Sequence, residues 1–497
     1  MKIIGPISYR YYKNIQIEDN DTRNILLFGD YHHDLTYDTE CCTNDHIEKT
    51  IVKFTNIIII IYVNIIEIDC VNKILDSYNN SKYNEQNFLE IVLQSLEYMI
   101  NEKFYLLKNQ NYIFGNYLID QTKKLIKSKN KNKILDDMFK YKNKLELELE
   151  KNLIKLEKIL LNSNKKSDCE LIIQYLFNVC KSDDCVDLYY EFNKGDNATY
   201  YNKLNVAYIS HTYLLFHLIK YINIYESKYD IKIFKKFFLN ARLHESDIRI
   251  LDKFDSSQFN YYIFENTNFN TNQEYIDYAN DIYKSYTEFV KLYFISKISK
   301  ITFNSINQQN FYNKIFANYS LDAQTVMFDN LDLLFKQYSK SVFFDDSIDT
   351  LFTYLLFTLT IYIEDHIEVK YYKSNSIFFY IEMLNIDMYV IFRFFIKKGK
   401  WLNTKHKPDN ICNKYDYPKN IIGYFGSWHT LNYSNFIKYY FYLSKKERSI
   451  KINNIDQIDK NKYLELTNYD IANESYTENS SKIKNIRCID LSNKILI

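Results

Sequence analysis

Ile25 to Asp34, ILLFGDYHHD, is the stretch that most constrains this chain: an apolar run ends on Gly29 and then sets Asp30, His32 and His33 close together. A strand that stops on a glycine can turn sharply, so the first polar side chains beyond it point into a crevice rather than a core. The spacing recurs far downstream in Ile421 to Thr430, IIGYFGSWHT, where Gly426 and His429 repeat the Gly-x-x-His of Gly29 and His32. The sequence has only seven glycines, and Gly29, Gly423 and Gly426 are three of them. In a chain rich in Ile, Asn, Lys and Tyr, as an AT-rich genome imposes, glycines kept at these places predict a backbone need. The two stretches are expected to meet.

Residues 24–35 read as a strand, and 57–69, a run dominated by isoleucine, as a second strand covered on both faces. A short helix between them, over Asn44 to Phe54, makes a strand, helix, strand opening and so a parallel pair. From about Asn87 the apolar residues recur at helical spacing. The expected fold is α/β and predominantly helical, with a small mixed central sheet, helices on both faces and a long helical insertion. Residues 1–440 read as a single α/β domain: 24–70 hold the first strands and motif, 71–380 are largely helical, and 381–440 carry the second motif. Within the helical part, 123–166 is rich in Lys, Glu and Leu and reads as a solvated helical hairpin, and 351–363 as a buried helix. Residues 441–497 read as a polar tail with an edge strand at 486–491.

Charge and cysteine content narrow the function classes. Lys and Arg number 63 against 62 Asp and Glu, mixed along the chain, which argues against nucleic acid as the main partner. Eight cysteines lie scattered without zinc-finger spacing, which fits reduced thiols in a cytosol-like compartment. The apolar run at 56–68 is too short to span a bilayer and carries Asn64 and Glu67, and the N-terminal residues lack the apolar core of a signal peptide. The sequence thus predicts a soluble intracellular protein with no membrane partner.

Two histidines just past two strands, with carboxylates nearby, suit either a divalent metal or proton transfer near neutral pH. Gly29-Asp30-Tyr31-His32, the acid Glu67 and Gly426-Ser427-Trp428-His429 resemble the paired Gly-x-x-His signature of the Tiki/TraB and erythromycin-esterase-like superfamily, a layout also found in proteins of giant DNA viruses. The resemblance extends to HESDIR (His244, Asp247, Arg249) and DMYVIFR (Asp387, Arg393), covering about a fifth of the chain. It implies a hydrolase acting on a peptide or ester bond, with a peptide or small-molecule substrate. His32 and His429 would be metal ligands or base, Glu67 a ligand or base, Asp30 a further ligand, and Arg249 or Arg393 an oxyanion or carboxylate clamp. The metal would be manganese, cobalt or zinc.

Other readings compete. A non-catalytic structural or host-interaction protein would keep the same fold. A strand followed by Asp30-Tyr31-His32 also resembles the opening of a metallophosphoesterase site, but the only other Gly-Asp is Gly195-Asp196 and no glycine precedes an Asn-His pair. Arg249 and Arg393 have a plain alternative as internal salt bridges to Asp247 and Asp387. Ser427 lies outside any Gly-x-Ser-x-Gly pattern, so no nucleophile elbow is indicated.

Overall fold

The computed structural model describes residues 2–4, 8–18, 21–30, 67–76, 116–127, 131–161, 169–180, 184–190, 240–246, 271–303, 321–366, 376–400, 416–441 and 488–490, with Cys412 and scattered positions between 53 and 94. Within these, the protein is a mixed α/β structure with mostly helical content. Its strands are β1 (Lys2–Ile4), β2 (Ser8–Glu18), β3 (Asp21–Asp30), β4 (Cys169–Leu171), β5 (Val186–Tyr190), β6 (Ala241–Glu245), β7 (Asn420–Gly426) and β8 (Cys488–Asp490). The helices are α1 (Asn116–Lys127), α2 (Lys131–Leu161), α3 (Ile172–Val179), α4 (Asn272–Ser299), α5 (Leu321–Tyr338), α6 (Ile348–His366), α7 (Ser376–Phe394) and α8 (Ser427–Phe441).

The central sheet has five strands in the order β2, β3, β7, β5, β6. The last four run parallel, and β2 joins the edge antiparallel to β3, which makes the sheet mixed. β7 lies in the middle although it is the last of these five strands in the chain. Every residue of β7 is buried, as is every residue of β5, which is what a parallel sheet covered on both faces requires. A second, three-stranded sheet sets β1 between β4 and β8, so that Cys488–Asp490 forms one of its edges.

Alternation along the strands divides the core in two. Ile25, Leu27, Tyr189, Ile421 and Phe425 face an aromatic-rich cluster built from α4 to α8. Leu26, Phe28, Leu188, Ile422 and Tyr424 face the opposite cluster, which takes in α2 and α3 together with Ile61, Ile65 and Ile68. Tyr12 of β2 reaches Ser434 of α8 with its hydroxyl, fixing that helix over the first face.

Three sequence readings are corrected here. All described residues from 53 to 76 are helical, including an unbroken run over 67–76, so the second strand expected at 57–69 does not form. Ile61, Ile65, Ile68, Val71 and Ile74 are buried at helical intervals. An apolar run of isoleucine fits a buried helix as well as a strand, and packing decides it against β-branched propensity. The hairpin of 123–166 falls on α1 and α2, and it is not wholly solvated: Leu145, Leu149, Leu153, Leu156 and Leu160 make one buried stripe in the cluster shared with α3. Finally, Cys185 and Cys412 form a disulfide, against the expectation of reduced thiols, while Cys70 and Cys180 are free and buried. No helix among the described residues is long and apolar enough to cross a membrane.

Gly423 shows a different use of glycine from the one expected. It sits mid-strand, and a Cβ there would press into the Phe425 ring and lie 2.9 Å from Leu27 Cδ2. The position is held open for an aromatic ring rather than for a turn. Gly423→Ala is expected to lower stability by about 1–3 kcal/mol, the usual cost of overpacking, read as a lower midpoint in urea with unchanged slope.

Candidate active site

The two glycine-bearing stretches are neighbours. β3 and β7 pair in parallel, with Gly29 opposite Phe425 and Asp30 opposite Gly426, so both end at the same edge of the sheet. In an open parallel sheet that carboxyl edge is where ligands bind. β3 ends at Asp30; His32, His33, Asp247 and Arg249 lie outside the described residues.

α8 starts directly after β7, which puts His429 in its first turn above the strand ends. Thr430 ties that turn down: its hydroxyl donates to Phe28 O and Gly426 O, both at 3.2 Å, one carbonyl from each strand. His429 Nδ1 then meets Asp387 Oδ1 of α7 at 2.5 Å. The other carboxylate oxygen accepts from Asn432 Nδ2, one turn further along α8, also at 2.5 Å. His429, Asp387 and Asn432 are all buried, and the Tyr433 ring stacks parallel to the imidazole at 6.0 Å. An ionised carboxylate only accepts, so Nδ1 carries the proton and the ring lone pair is on Nε2. That is the tautomer of a general base or of a metal ligand held by an outer carboxylate.

A second buried network lies on the same face of the sheet, between the outer strands and α7. Arg242 of β6 grips Asp187 of β5 through Nε and Nη2, at 2.7 and 2.6 Å, and also donates to Tyr417 O at 3.0 Å. His244 Nε2 adds a bond to Asp187 Oδ1 at 2.7 Å, while Nδ1 accepts from Arg393 at 2.9 Å. Arg393 also donates to the Tyr389 hydroxyl at 2.9 Å and lies over the Tyr389 and Tyr189 rings. Arginine cannot accept, so His244 is the neutral Nε2–H tautomer. Burial first, and then the charge of Arg393, pull its pKa down to about 4. Burial alone pushes Asp187 up, yet Arg242 and the bonds from both partners outweigh it and hold the carboxyl below its usual range.

Expected site residues therefore divide into two groups. Asp387 pairs with His429 and not with Arg393, and Arg393 bonds His244. Glu67 is not the end of a strand: it is helical and buried, accepts from Tyr141 of α2 at 3.1 Å, and belongs to the layer on the face away from His429. Asn432 and Asp187 were not singled out from the sequence. An acid inside VDLYY, otherwise apolar, was the signal for Asp187, and the i, i+3 spacing from His429 was the signal for Asn432.

Of the expected set His32, His429, Glu67 and Asp30, His32 lies outside the described residues, Glu67 is bonded to Tyr141 of α2 and His429 to Asp387 of α7. Among the described residues no group of three or more His, Cys, Asp or Glu is placed to hold an ion. No protein-family model, curated protein or solved structure matches this chain.

Proposed function

We propose that this protein is a hydrolase in which His429, oriented by Asp387, activates water for attack on a peptide or ester bond. The observation that carries the reading is the Asp387 to His429 bond, set at the shared carboxyl edge of β3 and β7. His429 Nε2 takes a proton as the water oxygen bonds to the carbonyl carbon and the carbonyl electron pair moves to oxygen. The imidazolium that forms is stabilised by Asp387, which Asn432 holds in place. The same proton then goes to the departing oxygen or nitrogen as the scissile bond breaks. No step is routed through a metal or through Glu67.

The competing reading is a non-catalytic protein that keeps the fold for packing, and the deep burial of His429 favours it. Purified protein is assayed against a generic aryl ester, a peptide mixture and an aryl phosphate. Hydrolysis of the ester or peptide and none of the phosphate is expected. His429→Ala is expected to lower turnover by about a hundredfold or more, and Asp387→Asn by a similar factor because it frees the ring to adopt the wrong tautomer. Activity that is absent, or unchanged in both variants, excludes the hydrolase reading. Metal analysis of the same preparations is the second arm: a stoichiometric ion lost in His429→Ala reassigns His429 from base to ligand.

A further inference from the structure

We infer that Arg393 and His244 are positioning residues for His429: by fixing the rotation of α7 against β5 and β6, they hold Asp387 where the imidazole can meet it. The inference rests on His429 being the base of the proposed hydrolase. Its geometry starts from α7. Asp387 and Arg393 are less than two turns apart on that helix, about 9 Å along the axis and about 120° around it. One side chain therefore looks toward α8 while the other looks toward the outer strands.

The outer anchor is continuous. Arg242 and His244 both bond Asp187, and His244 bonds Arg393, so strand β5, strand β6 and helix α7 share one buried chain of hydrogen bonds. The Tyr189 ring lies tilted against His244 at 4.4 Å and its hydroxyl donates to Arg393 O at 3.3 Å, so the helix backbone is held as well as the guanidinium. Arg23 of β3 bonds the carbonyls of Phe394 and Ile396 at 2.5 and 2.6 Å, which sets the height of the helix end. Arg393 sets its turn. A carboxylate about 6 Å from the helix axis moves about 1 Å for a 10° rotation, enough to open a bond of 2.5 Å beyond useful range.

The experiment uses the full chain labelled with 15N-histidine, in which the hydrogen-bonded Nδ1 proton of His429 is assigned by its loss in His429→Gln. In Arg393→Met that resonance is expected to shift or vanish while the far-ultraviolet spectrum and cooperative melting persist. Turnover of the aryl ester is expected to fall about ten- to a hundredfold in kcat with KM unchanged, and Arg393→Lys to recover part of it. An unmoved Nδ1 resonance in the folded Arg393→Met chain overturns the inference, whatever the ester assay gives. Should Arg393→Met not fold, His244→Gln takes its place with the same readouts, and an unmoved resonance there overturns the inference equally. Wild-type protein without esterase activity defeats the proposed function, while the resonance still decides whether the anchor positions Asp387.

Discussion

Arg23→Ala is expected to lower the free energy of unfolding by about 3–5 kcal/mol, the cost of breaking a buried ion pair by removing one partner. Arg23 is wholly buried at the start of β3, where its guanidinium forks onto Asp21 at 3.2 and 2.7 Å. The remaining donors satisfy Phe394 O and Ile396 O at the C-terminal end of α7, where the helix dipole also favours a cation. Truncation strands a carboxylate and two carbonyls at once. Lysine cannot replace the planar fork, so Arg23→Lys is expected to recover little. In urea unfolding, Asp21→Leu combined with Arg23→Met is expected to lose less than Arg23→Ala, because no unpaired charge is left behind. Equal losses in the two variants would place the energy in the capped carbonyls rather than in the ion pair.

Arg23 also marks how far the sequence could be read. The two glycine-bearing strands were legible because parallel central strands are apolar throughout and their ends carry chemistry. The outer neighbour of β3 was not. β2, in SYRYYKNIQIE, pairs with β3 through a register shift near Asn14, a left-handed residue at φ 53°, and its mixture of tyrosine and charge conceals a strand. Residues 57–69 misled for the opposite reason, since a run of isoleucine satisfies strand and buried-helix patterns equally.

The candidate site divides along the same line. Asp387 and Arg393 were both visible in DMYVIFR, and sequence proximity suggested that they pair with each other. Helical geometry instead turns them toward different neighbours, giving Asp387 to His429 and Arg393 to His244. Pairing across the fold is a matter of helix rotation, which local pattern does not encode. Glu67 was expected at a strand end for the same reason: once its segment is helical, the layer it joins is decided by which face of the sheet that helix covers.

Stability is expected to fall steeply as pH drops from about 6.5 toward 4, with His244 responsible for about 3 kcal/mol of the loss. The folded pKa of His244, about 4, lies below its ordinary value of 6.5. Between those values the unfolded chain binds a proton that the folded chain refuses, so the free energy of unfolding rises with pH across that window. The contribution is complete above about pH 6.5 and gone below about pH 4. The physical cause is enclosure: Asp187 from β5, Arg242 from β6 and Arg393 with Tyr389 from α7 surround the ring, and a second ring proton would point at a guanidinium. Asp187 extends the loss to still lower pH, because its own carboxyl is held below the usual range by Arg242. Urea unfolding at stepped pH checks the expectation, and His244→Gln is expected to be less stable at neutral pH yet flatter between pH 4 and 6.5. An identical slope in the variant would show that another group takes up the proton.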